Sequence, residues 1–406
     1  MALRVESRWL FALPHVVLGW LAATAAAAAA DLPPAPEPID YVRACKAEGD
    51  GYFAVPGTDT CVSIFGYVQA EYMVFASNAA SRQPGWYSPS VSGTLFRARS
   101  DYFMYSVSHT DAGPLKTFLK FEFTENDKTA VQIDPKELYI TYMGITAGRN
   151  QSFYDFYTGN TFEDYYEPAW SDFQTLLLGY TFDFGKGVTA TVALEDAVTR
   201  NLGIKFGGPN LNSGPGYGGP VAPDVVANLN LGEDWGSAQI MGAVHQLRAA
   251  RGRGGDKTGY GLGGGVTVNL PFLGAGDSAT LQGNFAHGAL AYTANNPVGP
   301  GRAFSGADAV LTGGRLELAT SWSGSFGITH NWNDKWSSTL EGSYLSVDQA
   351  LARFSFTNID LQANLIYAPV TDLQLGIESE FKQIGRRGHR ADGAALMTMF
   401  VIQKDF

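Results

Sequence analysis

Polar and apolar residues alternate along most of the chain with a period of two. From Val62 to Val74 the even-numbered positions are apolar, small or aromatic, whereas the odd-numbered ones include Ser63, Gln69 and Glu71. This alternation is typical of strands with one apolar and one polar face, and it recurs between turn residues up to the last residue. The pattern predicts sixteen strands, near 62–74, 96–104, 115–123, 136–142, 144–149, 174–184, 188–195, 225–231, 237–247, 259–270, 278–287, 316–331, 336–346, 354–368, 372–383 and 394–406.

The connections between these segments alternate in length. Short turns such as Met143–Gly144 and Asn333–Lys335 follow the even-numbered segments. Longer stretches rich in Gly, Pro or charge follow odd-numbered ones, such as 76–93, 150–173, 196–224, 248–258 and 288–315. A barrel secreted across a membrane sorts its connections in this way, with short periplasmic turns and long outer loops. We therefore predict an all-β fold, a 16-stranded antiparallel transmembrane β-barrel over residues 62–406.

Backbone physics supports a closed sheet. Beyond residue 31 no uninterrupted apolar run approaches the roughly 20 residues that a helix needs to span a bilayer. Hydrocarbon offers no hydrogen-bond partners, so a sheet crosses it only when no edge strand is left open. The alternative is a secreted or surface β-rich adhesin or binding protein, whose core-facing residues show the same alternation. The sorting of the loops by length favours the barrel.

The composition agrees with strands that meet lipid on one face and water on the other. Of the 406 residues 17% are charged and 13% aromatic, and 48 are Gly, whereas an average globular domain has about 25% charged residues. The formal net charge is −11. Nucleic-acid binding needs clustered Lys and Arg to neutralise phosphates, so this acidic balance argues against a nucleic-acid partner.

The first 30 residues have the features of a cleavable signal peptide. Arg4 and Arg8 precede a mostly apolar stretch, and an Ala-rich run ends before Asp31. Removing 1–30 takes away two Arg and one Glu, which leaves a mature charge of −12. Because an exported chain leaves the reducing cytosol, we expect Cys45 and Cys61 to form a disulfide in an N-terminal periplasmic segment, 31–61.

The third long connection, about 150–172, is far more aromatic than a solvated loop. Side chains cannot fill the lumen of so wide a barrel, so passage is limited by whatever folds inward. Folding this loop inward would bury four rings against the wall, those of Phe153, Phe156, Tyr157 and Trp170. It would turn four acids toward the water-filled opening, namely Asp155, Glu163, Asp164 and Glu167. The alternative is that these acids are ordinary solvated charges.

Both ends of the mature chain resemble the general porins of alphaproteobacteria. Near the N-terminus stand Tyr41-Val-Arg-Ala-Cys45, Gly49-Asp-Gly-Tyr-Phe53 and Pro56-Gly-Thr-Asp-Thr-Cys61, which are similar to segments that lead into the first strand of that family. Phe65-Gly66-Tyr67 departs slightly from the family's Gly-Gly-Tyr. The last strand carries Phe400, Ile402 and a terminal Phe406, and this resembles the signal that the barrel-assembly machinery reads. Lys404 stands two residues before Phe406, where such barrels usually have an apolar residue. Its ammonium can extend to the membrane–water interface.

The resemblance implies a channel and its partners. Such porins are usually homotrimers in outer-membrane lipid and lipopolysaccharide that pass small hydrophilic solutes by diffusion, and their inward third loop carries acids opposite basic residues of the wall. The alternation of even- and odd-numbered positions along a strand, called strand parity below, places three such bases on the inner wall, Arg97, Arg99 and Lys120. Arg315 is a further candidate. Opposed charges would create a transverse field in the opening. With the acids of the loop, the mature charge predicts a weak preference for cations.

Catalytic and metal motifs are missing from the sequence. The six His are far apart, and no His-x-x-x-His spacing occurs. We therefore expect no metal, no cofactor and no enzymatic activity. The rival hypothesis is an outer-membrane barrel hydrolase, for which only His245 and His287 are suitably placed, near the upper ends of strands.

Overall fold

The computed structural model describes residues 43–77, 93–126, 129–206, 216–250, 254–295, 306–352, 355–386 and 393–406, so the proposed signal peptide lies outside the described residues. In these ranges most of the chain is in strands, which pair antiparallel with one exception. Sixteen strands form the wall of the barrel: β2 (Thr60–Ser77), β3 (Thr94–Thr110), β4 (Gly113–Asn126), β5 (Thr129–Tyr142), β6 (Ile145–Gln151), β7 (Gln174–Gly185), β8 (Val188–Glu195), β10 (Asp224–Glu233), β11 (Gly236–Arg248), β12 (Asp256–Asn269), β13 (Ser278–His287), β16 (Thr320–Asn333), β17 (Trp336–Asp348), β18 (Phe356–Val370), β19 (Leu373–Arg386) and β20 (Gly393–Asp405). Four shorter strands lie outside the wall: β1 (Phe53–Ala54), β9 (Ile204–Phe206), β14 (Ala309–Thr312) and β15 (Arg315–Leu318).

The sheet closes on itself. Each wall strand pairs with the next, and β2 also pairs with β20, from Tyr67 opposite Asp405 to Ser77 opposite Ala395. At the joint Gly66 and Phe406 exchange both backbone hydrogen bonds. A Cβ on Gly66 would lie 2.1 Å from the carbonyl oxygen of Asp101, so only glycine fits there. The predicted 16-stranded antiparallel barrel is confirmed.

Each strand turns its apolar face outward. On β2 the Ile64 side chain is 53% exposed, whereas Gln69, on the other face, is 1% exposed. Large apolar side chains are exposed in the same way on the outer face of the other wall strands, for instance Phe96, Leu281 and Phe400. This distribution inverts that of a soluble protein and is typical of a barrel that meets lipid outside and polar groups inside.

The two ends of the barrel differ, as the loop lengths predict. Met143 and Gly144 alone join β5 to β6, and both have positive φ, 51° and 83°. This is the conformation that a two-residue turn of matching twist needs. The end with such turns is called the turn end below, and the opposite end, where 152–173 and the described residues 288–295 and 306–319 lie outside the wall strands, is the loop end.

Most predicted segments differ from the observed strands at their ends, and two differ for a reason that the structure shows. The segment predicted at 316–331 divides, because β15 pairs with β14, and β14 with β9, in a separate three-stranded sheet. Arg315 is therefore exposed on this loop sheet and does not lie on the barrel wall. The strand predicted at 136–142 begins at Thr129, because a bulge beside Pro135 interrupts the alternation on which the prediction rests.

The N-terminal segment is fastened to the wall at the turn end. Cys45 and Cys61 form the expected disulfide, and Phe53 of β1 pairs with Val62 of β2. His109 Nε2 on β3 lies 2.8 Å from Glu48 Oε1 of this segment. The described part of this segment is thus held both by a covalent bond and by backbone pairing.

None of the helices among the described residues has the length and apolar character to cross a membrane.

Candidate functional site

Residues 152–173, the inner loop, leave β6 and enter the barrel, as predicted. Tyr154, Tyr157 and Trp170 are buried there, and Trp170 is 1% exposed. Tyr157 and Trp170 make an edge-on ring contact at 5.2 Å between centroids. The aromatic residues thus hold the loop together inside the lumen, because their surface is removed from water there.

Wall side chains fix the beginning of the inner loop. The carboxylate of Glu195 on β8 accepts hydrogen bonds from Ser152 Oγ at 2.7 Å and from the Phe153 backbone N–H at 3.0 Å. On β13, Gln282 Oε1 accepts the Tyr157 backbone N–H at 2.8 Å. These polar wall groups satisfy loop amides that would otherwise be buried without partners.

Three buried carboxylates on the far side of the lumen hold the middle of the loop. Glu341 on β17 accepts the Tyr157 hydroxyl at 2.5 Å and the Asn160 backbone N–H at 3.0 Å. Glu378 on β19 accepts the backbone N–H groups of residues 162 and 163, at 2.7 and 3.0 Å. Glu380 accepts that of Tyr166 at 2.9 Å. Hydrogen bonds from amides to a carboxylate are among the stronger ones in proteins, so the loop is fastened at both ends of its crossing.

The inner loop also makes an ion pair with a third part of the wall. Glu163 accepts hydrogen bonds from Arg97 and from Arg99 of β3, the latter at 2.7 Å. Glu71 on β2 lies against the same two guanidiniums, 2.5 Å from Arg97 Nε. Burial disfavours the ionised form of Glu163, but Arg99 and Arg97 outweigh it and lower the pKa of the carboxyl.

The structure corrects the expected arrangement of charges in two ways. Glu163 touches the basic residues of the wall directly instead of facing them across an opening. The side chain of Asp155 is 1% exposed and pairs with Arg200, which follows β8, at 3.2 Å. Because the Asp155 carboxylate also accepts the Phe173 backbone N–H at 2.7 Å, it closes the loop on itself and does not face water.

The other two predicted loop acids have separate environments. Asp164 lies beside Gly159, and burial together with the charge of Glu341 raises the pKa of its carboxyl. Glu167 is exposed and has a positive φ of 55°, and its carbonyl accepts a hydrogen bond from Lys382 Nζ at 2.6 Å. The four acids thus do not form one row.

The charges of β4 and β5 remain in contact with solvent. Lys120 lies 3.3 Å from Asp101 and is 27% exposed. Lys136, at the bulge of β5, contacts Glu122 and Asp134 at 3.4 and 3.0 Å and is 28% exposed. The inner loop is hydrogen-bonded to β17 and β19, whereas these two Lys side chains are only partly covered. Strand parity placed Lys120 on the inner wall but missed Lys136, because the bulge changes the parity.

A second buried network lies near the loop end. His245 Nδ1 is 2.8 Å from Asp224, its Nε2 is 3.1 Å from the Tyr217 hydroxyl, and that hydroxyl donates to Asp308 at 2.9 Å. Burial raises the pKa of the Asp308 carboxyl. His245 has no exposed surface, and His287 bonds Thr320 at 2.9 Å. The hydroxyls that these two histidines contact belong to Tyr217 and Thr320, and neither histidine contacts a Ser or Cys side chain there.

Several residues that build the site were not singled out from the sequence. The wall acids Glu341, Glu378 and Glu380 occupy lumen-facing positions that parity identifies, but parity does not say which loop they hold. Arg200 has no local signal at all. Among the described residues no group of three His, Cys, Asp or Glu is arranged to bind a metal ion.

Comparisons with known proteins agree with this architecture. The model of the porin subfamily matches residues 30–402. Porin Omp2b of Brucella canis is 34% identical over 243 residues, and that of Brucella suis biovar 1 is 33% identical; each match covers 55% of this chain and 62% of the relative, which is less than two thirds of its length.

Solved structures show the same fold at low identity. The outer membrane channel DcaP of Acinetobacter baumannii aligns with a TM-score of 0.70 and 14% identity, covering 87% of this chain and 99% of that one. The anion-selective porin from Comamonas acidovorans gives 0.51 and 11%, covering 86% and 100%. With the family match over most of the sequence, the resemblance noted from the terminal motifs is confirmed. The chain belongs to the porin family and is a multi-pass β-barrel protein of the outer membrane.

Proposed function

We propose that the protein forms a water-filled channel for the passive diffusion of small hydrophilic solutes and ions across the outer membrane. The observation that carries this proposal is the anchoring of the inner loop across the lumen. Backbone N–H groups of the loop donate hydrogen bonds to side chains of β8, β13, β17 and β19, and Glu163 forms an ion pair with Arg99 of β3. A loop held in this way narrows the path without closing it, since the charges on β4 and β5 keep their contact with solvent.

The selectivity follows from the acids that remain near the path. Glu122 on β4, Asp134 on β5 and Glu137 beside them outnumber Lys120 and Lys136. At physiological salt charges act over about 8 Å, so these residues affect passing ions more than distant outer loops do. This arrangement supports a weak preference for cations. The Glu163 carboxylate offsets part of the positive charge of Arg97 and Arg99.

The protein acts as a channel, not as a hydrolase. The porin subfamily match and the burial of His245 support this choice. In the membrane we expect a homotrimer surrounded by lipid and lipopolysaccharide. We expect the barrel-assembly machinery to recognise the last strand through Phe400, Ile402 and Phe406, whose side chains are exposed on the outer face.

Liposome swelling tests the channel directly. Purified full-length protein is reconstituted into liposomes, which are diluted into isotonic solutions of neutral solutes of increasing size. The expected result is rapid swelling with the smallest solutes and a steep fall with size. Cross-linking of the same sample should give a trimeric species. Folded protein that causes no swelling with any solute would contradict the proposal.

A further inference from the structure

Five aromatic side chains form a continuous strip across four neighbouring strands near the turn end. The aromatic strip consists of Phe65 on β2, Phe103 and Tyr105 on β3, Phe118 on β4 and Tyr139 on β5. Ring centroids lie 5.0 Å apart for Phe65 and Phe103, 4.4 Å for Tyr105 and Phe118, and 5.3 Å for Phe118 and Tyr139. No pair in this chain of contacts exceeds the range typical of interacting rings.

The aromatic strip faces the lumen. On β3, Phe103 and Tyr105 share their face with Arg99 and Asp101, whereas Phe96 on the opposite face is exposed to the outside. Phe65 is opposite Phe103 in the strand pairing and is 38% exposed. The girdle of an outer-membrane barrel belongs on its lipid face, so that role does not explain aromatic side chains on the inner wall.

Amide side chains continue the same inner surface. Gln374, Gln403 and Gln69 are directly opposite one another on β19, β20 and β2, and they form an amide row. Gln69 Oε1 accepts a hydrogen bond from Arg99 at 2.9 Å, but its buried Nε2 has no hydrogen-bond partner. A buried amide donor without a partner is costly, which points to a ligand or water that completes the row.

The amide row borders a cavity beneath the inner loop. The cavity has a volume of about 260 Å³, and its lining includes the amide row, Tyr67, residues 160–162 of the loop and Arg99, whose guanidinium is already paired with Glu163 and Gln69. On β2, Tyr67 lies between Phe65 and Gln69, so the aromatic strip and the amide row are about 13 Å apart along one strand. A solute that passes the inner loop therefore meets both surfaces.

We propose that this inner surface is a binding site for neutral saccharides on the turn-end side of the inner loop. A sugar ring presents C–H groups on its faces, which pack on aromatic rings, and hydroxyls at its edge, which both donate to and accept from amides. A purely aromatic solute would use the aromatic strip alone. The inference rests on the proposed channel and names a solute class for it.

Single-channel recording with maltotriose tests the site. Purified full-length protein conducts in a planar bilayer, and the sugar is added on the turn-end side. The expected result is a current interrupted at a frequency that rises with maltotriose concentration and saturates. Phe65→Leu and, separately, Gln403→Leu should each weaken the apparent affinity about fivefold, the loss of roughly 1 kcal/mol of ring or amide contact. Phe96→Leu, on the outer face of β3, is the matched control and should change nothing.

The outcomes separate this inference from the proposed channel. Conductance that maltotriose never interrupts, or interruptions that Phe65→Leu and Gln403→Leu leave unchanged, would overturn the saccharide site while the channel stands. If an aromatic alcohol interrupts the current as well as maltotriose does and Gln403→Leu has no effect, the surface binds rings generally and the saccharide assignment is wrong. If no conductance is seen, the channel proposal fails, and calorimetric titration of the detergent-solubilised protein with maltotriose still decides the site, because absence of heat would overturn it.

Discussion

Glu163 and Arg99 join the inner loop to the inner wall, with Glu163 Oε2 2.7 Å from Arg99 Nη1. Removing Glu163 alone would leave two guanidiniums on β3 with only Glu71 to balance them. The lowered pKa of Glu163 means that this contact stabilises the fold above the unfolded pKa, about 4.3, and that the contribution is lost as the pH falls through the lower folded value.

Glu163→Gln should shift the channel toward anions. The variant removes a negative charge beside Arg97 and Arg99, and we expect the permeability ratio of cations to anions to fall roughly twofold, since charges within about 8 Å act on passing ions. The reversal potential in a potassium chloride gradient measures this. Glu233→Gln, an exposed acid at the turn end, is the control. An unchanged reversal potential in Glu163→Gln would reject a role of this residue in selectivity.

Asp164→Asn should stabilise the protein at neutral pH and not in acid. Burial and the charge of Glu341 raise the pKa of Asp164, so the folded state binds its proton more tightly than the unfolded state does. The cost of ionising it therefore appears as the pH rises above the unfolded value of about 3.9. Urea unfolding followed by tryptophan fluorescence should show a higher midpoint for the variant at pH 7.5 and equal midpoints at pH 3.5. The exposed Asp234→Asn is the control, and a lower midpoint for Asp164→Asn at pH 7.5 would contradict the account.

Arg200→Met should destabilise the loop end more than its loss of packing explains. Arg200 pairs with Asp155 in the interior and lies 4.1 Å from the Tyr292 ring, so its removal leaves a buried carboxylate uncompensated. We expect the free energy of unfolding to fall by about 3–5 kcal/mol. Adding Asp155→Asn to Arg200→Met should recover much of this loss in a double-mutant cycle. Strictly additive effects of the two substitutions would show that the pair is not coupled.

The Cys45–Cys61 disulfide should stabilise the fold and leave the conductance of the channel unchanged. It closes a short loop at the turn end, beside β1. For a loop of this size the unfolded chain loses entropy worth about 3 kcal/mol. Cys45→Ser with Cys61→Ser should lower the urea midpoint by that equivalent, and reducing the native protein should reproduce the change. Equal stability of the oxidised and substituted proteins would argue against this contribution.

The alternation of faces and the sorting of the connections by length together were enough to predict the barrel, because every wall strand obeys the same constraint independently of the others. It also placed Arg97 and Arg99 on the inner wall. Parity failed at Lys136, where a bulge adds a residue, and at Arg315, where a strand of the loop sheet continues the pattern of the following wall strand. Asp155 could not be assigned from its own neighbourhood, since its partner Arg200 comes from another loop.

The inner loop, fastened across the lumen, limits the passage of ions in the proposed channel. The most direct test of this role is the single-channel conductance of a variant in which residues 154–170 are replaced by a short Gly-Ser linker, compared with the native chain in the same bilayer and salt. We expect a folded barrel whose conductance is at least about twofold higher than that of the native chain. A folded variant with the native conductance would contradict it.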